Sequence, residues 1–337
     1  MRLSWRTVLG FLLSAALLWW TLHEVDLAEV GARLANANLP LLVASSITAT
    51  LIFPLRARRW RTLLDPVAPN IPFGPLWRST AIGMMVNNVV PARAGEIARA
   101  FALTREEPRV SFPASLASLA VDRMLDAVVI LSLMVGGMLA STFTVDAAIG
   151  GRPVASYASI FAIGMGALIA VFYAIVFAPR VVLAIADSLA RRVMPRHADR
   201  VHVGVQAFVN GLGVLRSPAR LAEALWWTVI HWLVNAFAFW IAFRAVGIDQ
   251  SFAAALFLQG LIAIGVAIPS APGFFGVFEA AATVGLGLYG VGQTEAVTGA
   301  IGFHLLSFLP ITLIGAYYFA RLGLRLKEVG APSEKAA

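Results

Sequence analysis

The stretch Met85-Val-Asn-Asn-Val-Val-Pro-Ala-Arg-Ala-Gly-Glu-Ile-Ala-Arg-Ala100 is a polar run inside an apolar part of the chain. It combines Asn, Arg and Glu side chains with a Pro and a Gly, and both of the latter interrupt regular helix. Lipid cannot satisfy the N–H and C=O groups of irregular backbone, so such backbone at membrane depth needs protein or a water-filled cavity around it. If the flanking segments cross a membrane, this run marks a cavity.

The composition is typical of a polytopic membrane protein. Of 337 residues, 59% are hydrophobic and 13% are charged, whereas soluble domains carry about 25% charge; the mean hydropathy is +0.81. Apolar runs near the roughly 20 residues that cross a bilayer predict about six full spans, at 8–22, 39–55, 112–140, 155–179, 222–245 and 297–320. The chain has no Cys and five scattered His, so we expect no disulfide, no thiol catalysis, no metal site and no cofactor.

The net charge is +8, and the basic residues are unevenly distributed among the connections between these spans. Arg residues concentrate in alternate connections: Arg2 and Arg6, Arg56 to Arg61, Arg180 to Arg220, and Arg321 to Lys327. This positive-inside pattern predicts a multi-pass protein of the cytoplasmic (inner) membrane, with both termini in the cytoplasm. We expect these side chains to contact anionic lipid head groups rather than nucleic acid, because no basic and aromatic soluble module accompanies them.

Two smaller features complete the topology. The first span lacks a small-x-small cleavage site after it, so it is predicted to be an uncleaved anchor rather than a signal peptide. The segment 181–190 is predicted to be an amphipathic helix at the cytoplasmic membrane surface, with a solvated basic face as the alternative.

Two segments cannot be simple spans if each loop keeps its side. Residues 72–109 must start and finish in the cytoplasm, and residues 251–292 must start and finish outside. Both are therefore predicted to be re-entrant helical hairpins, with their apices at Asn87 to Glu96 and at Ile268 to Glu279. Each apex places a Pro and a Gly before a helix that carries a Glu.

The predicted fold is an all-α polytopic membrane protein with about six full spans, two re-entrant hairpins and an inverted-topology repeat. The repeats are residues 1–140 and 155–327 of a single transmembrane domain, followed by a disordered tail at 328–337. Weak internal similarity in opposite orientations is typical of secondary transporters, whose sites lie at the midplane between broken helices. Chance resemblance of two Pro/Gly turns is the alternative.

Charged residues stand near the middle of the span 112–140. Asp122 and Asp126 lie one turn apart, and Arg123 reaches Asp126 at i+3. Charges at membrane depth cost several kcal/mol unless paired or hydrated. We therefore predict contact between the apex Arg93 to Arg99 and these Asp residues, in a functional site or in a structural ion-pair cluster.

The second half offers fewer charged candidates. His231 and Asn235 share one helix face, Gln259 lies inside the second hairpin, and His304 lies in the last span. Glu279 occupies the position equivalent to Glu96 in the predicted repeat. For the two His residues, an interhelical hydrogen bond is the alternative to substrate or proton chemistry.

Three motifs together resemble a known family, the transmembrane domain of lysylphosphatidylglycerol synthases/flippases. They are Asn87-x-x-x-Pro91-x-Arg93-x-Gly95-Glu96-x-x-Arg99, Asp122-Arg123-x-x-Asp126 with Asp where the family has Glu, and Pro269-x-x-Pro272-Gly273-x-x-Gly276-x-x-Glu279. The resemblance covers nearly the whole chain and implies movement of a lipid across the bilayer. In the full synthases the domain is joined to an aminoacyl-tRNA-dependent transferase, which we do not expect in this chain.

We therefore predict a lipid flippase or transporter without catalytic activity, which moves a phospholipid or a lipid-linked head group. Its expected partners are membrane lipids, anionic or phosphate-bearing, and not nucleic acid; the oligomeric state stays open. A membrane enzyme acting on a lipid phosphate or polyprenyl carrier, and a non-transporting scaffold for a lipid enzyme, are the alternatives. The candidate lipid-binding residues are Asn87, Asn88, Arg93, Glu96, Arg99, Asp122, Arg123, Asp126, His231, Gly273, Gly276, Glu279 and His304.

Overall fold

A computed structural model describes residues 5–90, 94–140, 148–149, 152–267 and 270–325. The predicted tail at 328–337 lies outside these ranges, as do Pro91, Arg93 and Pro269 of the two apices. The described elements are, in chain order, α1 Trp5–Leu22, α2 Leu27–Ala35, α3 Leu39–Leu64, α4 Phe73–Val89, α5 Gly95–Glu106, α6 Phe112–Leu139, β1 Ala148–Ile149, β2 Arg152–Pro153, α7 Val154–Phe177, α8 Pro179–Val193, α9 Ala198–Gly211, α10 Pro218–Ala245, α11 Phe252–Ala267, α12 Val277–Gly287 and α13 Gln293–Arg321.

The structure confirms the all-α polytopic membrane fold. The described strands are the two-residue β1 and β2, which pair antiparallel, and three short 3₁₀ turns lie at Pro195–His197, Gly213–Arg216 and Pro272–Phe274. The N-termini of α2, α3, α6 and α10 are capped by side chains that the sequence places there. Ser111 and Ser217 accept hydrogen bonds from backbone N–H groups in the first turns of α6 and α10, where Pro also favours helix initiation.

Three of the described helices, α3, α10 and α13, are long and apolar enough to cross a membrane. Two bent pairs raise the number to five: α1 with α2, at an angle of 81°, and α7 with α8, at 91°. The remaining predicted span is α6, which has 28 residues but carries Asp122, Arg123 and Asp126 at its centre. The right angle before α8 is the geometry that a surface helix requires after a membrane span.

One predicted boundary is wrong, and it affects the site. The second span was expected to end near residue 55, followed by a cytoplasmic Arg cluster, but α3 continues without interruption to Leu64. Arg56 and Arg59 therefore belong to the helix and are buried. The physical reason is that apolar residues recur at helical spacing through the cluster, so that Phe53, Ala57 and Trp60 pack against other helices and carry the Arg residues with them.

Both predicted hairpin segments consist of two helices that pack on each other and are separated by a short break. The first is α4 with α5, and the second is α11 with α12. Between halves, α3 packs along α10, α4 packs along α13, and α11 packs along α6. These packings bring both hairpins and the charged centre of α6 to the middle of the bundle, where the candidate site lies.

Candidate functional site

The two carboxylates of α6 form the centre of a buried charge cluster. Asp122 is fully buried and Asp126 is 3% exposed. Arg59 of α3 lies between them, with its Nη2 2.5 Å from Asp122 Oδ1 and its Nη1 2.6 Å from Asp126 Oδ1. Its guanidinium group also donates to Thr228 Oγ1 at 3.1 Å, and the indole N–H of Trp232 donates to Asp126 at 2.9 Å. The central ion pair is therefore tied to α3, α6 and α10.

Three further Arg residues surround this pair. Arg123 Nη2 lies 2.9 Å from Asp122 and 3.1 Å from Asp126, and Arg99 Nη1 lies 3.3 Å from Asp122. Arg56 is the most distant, at 3.8 Å from Asp122 and 4.0 Å from Asp126. The cluster thus joins four guanidinium groups to two carboxylates, and the predicted contact between the first hairpin and α6 is confirmed at Arg99.

Sequence reasoning missed Arg56 and Arg59 as members of the cluster. It treated them as loop residues because four Arg occur between positions 56 and 61. The helical spacing of Phe53, Ala57, Trp60 and Leu64 could have revealed a continuing helix, since a loop has no reason to keep that period.

The break of the first hairpin is held by Asn87. Its side-chain oxygen accepts a hydrogen bond from the N–H of Gly95 at 2.8 Å, and its amide donates to Glu96 at 3.5 Å. Gly95 is required by close approach, because a Cβ atom there would lie 2.1 Å from the carbonyl oxygen of Gly83. Asn88 does not join this network; it donates to Thr312 of α13 at 2.6 Å. Arg93 lies outside the described residues.

A cavity of about 650 Å³ adjoins the cluster. Polar side chains line one part of it, namely Arg56, Asn87, Glu96, Arg123 and Asp126. Apolar side chains of α6 and α11 line the rest, including Ile130, Met134 and Ile264. The cavity therefore combines charged side chains of both signs with an apolar wall.

The break of the second hairpin holds a separate polar network. Glu279 Oε2 accepts a hydrogen bond from the N–H of Gly276 at 2.6 Å, while its Oε1 lies 2.5 Å from His304 Nδ1. His304 Nε2 lies 2.8 Å from the carbonyl oxygen of Gly273. Gly273 and Gly276 have φ of 70° and 86°, values that suit glycine. Four of the predicted site residues, Gly273, Gly276, Glu279 and His304, thus meet at this break. The most distant two are 31 residues apart in the sequence.

A smaller cavity of about 210 Å³ lies between Arg56 of the charge cluster and the network of Glu279 and His304. His231, Asn235, Gln259 and His304 line it, and Asn235 donates to Gln259 at 3.1 Å. Arg56 lines both cavities. His231 does not join the Glu279 network; it lies edge-on to Trp232. Within the described ranges, no group of three His, Cys, Asp or Glu side chains could hold a metal ion.

The chain is similar to a known protein and to a protein family. A relative with 34% identity over 127 residues is the glycosyltransferase AglD of Haloferax volcanii. The matched part is 37% of this chain and 20% of the relative, so the chain covers about one fifth of the relative's length. The family described as the lysylphosphatidylglycerol synthase TM region matches residues 7–315, which include both hairpins and the charge cluster. The chain therefore belongs to the family of the lysylphosphatidylglycerol synthase transmembrane region.

Proposed function

We propose that this protein moves an anionic phospholipid or a lipid-linked phosphate across the cytoplasmic membrane. The observation that carries the proposal is the imbalance of charge beside the larger cavity. Arg56, Arg59, Arg99 and Arg123 face the carboxylates of Asp122 and Asp126, and with Glu96 on the cavity wall these described residues leave one positive charge in excess. One phosphodiester head group would neutralise it.

The shape and chemistry of the cavity also suit a lipid. Its guanidinium groups can bind phosphate oxygens with two parallel N–H donors each, which Lys cannot do. Its apolar wall on α6 and α11 would contact the part of the lipid next to the head group. Arg56 and Arg123 are the phosphate ligands that we propose, because they are the Arg residues of the charge cluster that also line the cavity.

The same proposal includes the inverted repeat and the orientation. Exchanging the first set of helices α3, α4–α5 and α6 for the second set α10, α11–α12 and α13 maps the main packings onto each other: α4 with α13 becomes α11 with α6, and α3 with α10 maps onto itself. Such pairing supports alternating access, in which the two hairpins open the cavity in turn to opposite sides. The Arg residues between α7 and α10 and at the end of α13 support cytoplasmic termini.

The test uses the purified chain in vesicles of phosphatidylcholine and phosphatidylglycerol that contain fluorescent phosphatidylglycerol. A membrane-impermeant quencher measures how fast the label passes between leaflets. We expect Arg123→Ala to slow this movement about 10- to 100-fold, the equivalent of a lost charge-assisted hydrogen bond of about 1.5–3 kcal/mol. Arg123→Lys keeps the charge and should retain part of the rate.

The matched control is Arg244→Ala. Arg244 lies on α10, 45% exposed, against Trp240 and Asp249 and away from the cavity, so its loss should leave the rate unchanged. Equal rates for the Arg123 and Arg244 variants would show that the cluster is structural. Arg93→Ala in the same assay tests the remaining predicted ligand, and we expect it to abolish movement.

A second candidate is favoured by one comparison. The relative from Haloferax volcanii is a glycosyltransferase, which supports a membrane enzyme, or a scaffold for one, that acts on a lipid phosphate or polyprenyl carrier. The vesicle assay separates the two: a transporter leaves the mass of the labelled lipid unchanged, whereas an enzyme supplied with an activated sugar increases it.

A further inference from the structure

The distances at the second hairpin determine how many hydrogens Glu279 and His304 carry. The carbonyl oxygen of Gly273 can only accept a hydrogen bond, so His304 Nε2, 2.8 Å away, must carry a hydrogen. His304 Nδ1 and Glu279 Oε1 are 2.5 Å apart, and two lone pairs would repel at that distance. One more hydrogen therefore lies between them, whether it is assigned to the carboxyl group or to the imidazole.

The other contacts of Glu279 and His304 do not place a hydrogen between Nδ1 and Oε1. Glu279 Oε2 already accepts from the N–H of Gly276 at 2.6 Å. The faces of the His304 ring are covered by Phe275 and Phe278, with ring centroids 4.6 Å and 4.2 Å away. The observed arrangement of Glu279 and His304 is thus the proton-bound form of the pair.

Removal of that proton must break a contact at the hairpin break. A neutral imidazole with one hydrogen cannot donate to both Gly273 and an ionised Glu279. Gly273 is followed by Phe274, whose φ of 63° is unusual for a residue with a Cβ and persists only where its surroundings hold it. Phe274 lines both the larger and the smaller cavity. Loss of the proton therefore releases the segment that lies between the two cavities.

We propose that Glu279 and His304 form a proton-binding site that couples lipid movement to the proton gradient, with one proton for each lipid. The inference rests on the proposed function and assigns its energy source. The proton passes between the pair and the smaller cavity, which His304 lines; no covalent bond forms or breaks.

The charged surroundings permit this role. Across the smaller cavity, the titratable side chains that face His304 among the described residues are Arg56 from α3 and His231 from α10. From α1, Ser14 contacts the break, and its hydroxyl accepts from the N–H of Ala271. From α2, Arg33 pairs with Glu295, more than two turns before His304 on α13. Glu279 is thus the carboxylate that faces this imidazole.

The test is an imposed pH difference across the vesicles described above. For one proton per lipid, each pH unit should shift the ratio of labelled lipid between the leaflets up to tenfold at steady state. Glu279→Gln keeps the proton-bound contacts, because its amide donates to Nδ1 and its oxygen accepts from Gly276, but it has no proton to release. We expect this variant to exchange lipid between leaflets without any shift.

The control is His202→Gln, which changes an exposed His that pairs with Asp187 outside the hairpins and should keep the full shift. Failure of the two proposals is distinguishable. Wild-type protein that equilibrates lipid but ignores the pH difference overturns the proton site alone, whereas protein that moves no lipid at all overturns the proposed function.

A second measurement needs no lipid movement. The detergent-solubilised protein is taken from about pH 5 to about pH 9, and a dye counts the protons released per molecule. Wild type should release one proton more than Glu279→Gln. Equal release by wild type and the Glu279 variant would overturn the site, even if that variant moves no lipid.

Discussion

Replacement of Arg59 by Met should destabilise the fold far more than replacement of Arg56 by Met. Arg59 is fully buried and contacts both carboxylates of α6, at 2.5 Å and 2.6 Å. Arg56 lies at 3.8 Å and 4.0 Å from the same groups and lines both cavities. Met keeps most of the length of the side chain, so both variants mainly remove charge and hydrogen bonds.

The magnitude follows from the cost of leaving buried carboxylates without their main partner. Breaking a buried ion pair by removing one member costs about 3–5 kcal/mol, and Arg59→Met should reach that range because two carboxylates lose their shortest contact. For a protein of this size that corresponds to a fall of the thermal midpoint of about 4–7 °C. Arg56→Met should lose less than half as much, since its contacts are longer.

The assay is thermal unfolding in detergent together with the rate of lipid movement in vesicles. We expect Arg59→Met to lower the midpoint, and Arg56→Met to keep most of the midpoint while it slows lipid movement at least about tenfold. Adding Asp122→Asn and Asp126→Asn to Arg59→Met should lower the stability further, because Arg56, Arg99 and Arg123 then lose their carboxylates. Equal midpoints for the two single variants would refute the division into a structural Arg59 and a phosphate-binding Arg56.

Three further predictions concern the first hairpin and the topology. Gly95→Ala should disrupt the hairpin and stop lipid movement, since a Cβ at this position would lie 2.1 Å from a carbonyl oxygen of α4, whereas Gly136→Ala meets nothing within 4 Å and should unfold at the temperature of the wild type. Single Cys residues in this Cys-free chain should be labelled from the cytoplasmic side at Asn70 and from the outside at Gln293, both of which are exposed; the opposite pattern at either position would exclude the inverted repeat. Arg109 lowers the pKa of Glu107 through a side-chain hydrogen bond. The stability that this contact contributes should be present above about pH 5 and be lost as the pH falls through the lowered pKa. The difference in unfolding midpoint between wild type and Glu107→Gln should therefore disappear in acid.

The sequence by itself determined the membrane class and the helical fold, and each segment that it predicts to be a hairpin contains two helices that pack on each other. Composition and the length of apolar runs are sufficient for the first two, because a bilayer demands about 20 apolar residues per helix and internally satisfied backbone. The polar run from Asn87 to Arg99 could be recognised as a cavity marker for the same reason, and the contact of Arg99 with Asp122 follows from the high cost of an unpaired charge at membrane depth.

Only the tertiary structure decided which Arg residues pair with Asp122 and Asp126. Arg59 is 63 residues before Asp122 in the chain, and its burial depends on the packing of α3 against α6 and α10. A local cluster of Arg residues is typical of a loop, and the sequence of α3 alone does not show that carboxylates of α6 will lie beside it. In the same way, the bond between His304 and Glu279 joins α13 to α12, and neither helix alone indicates that both ring nitrogens have partners. Pairing between distant segments is decided by packing geometry, which local composition does not contain.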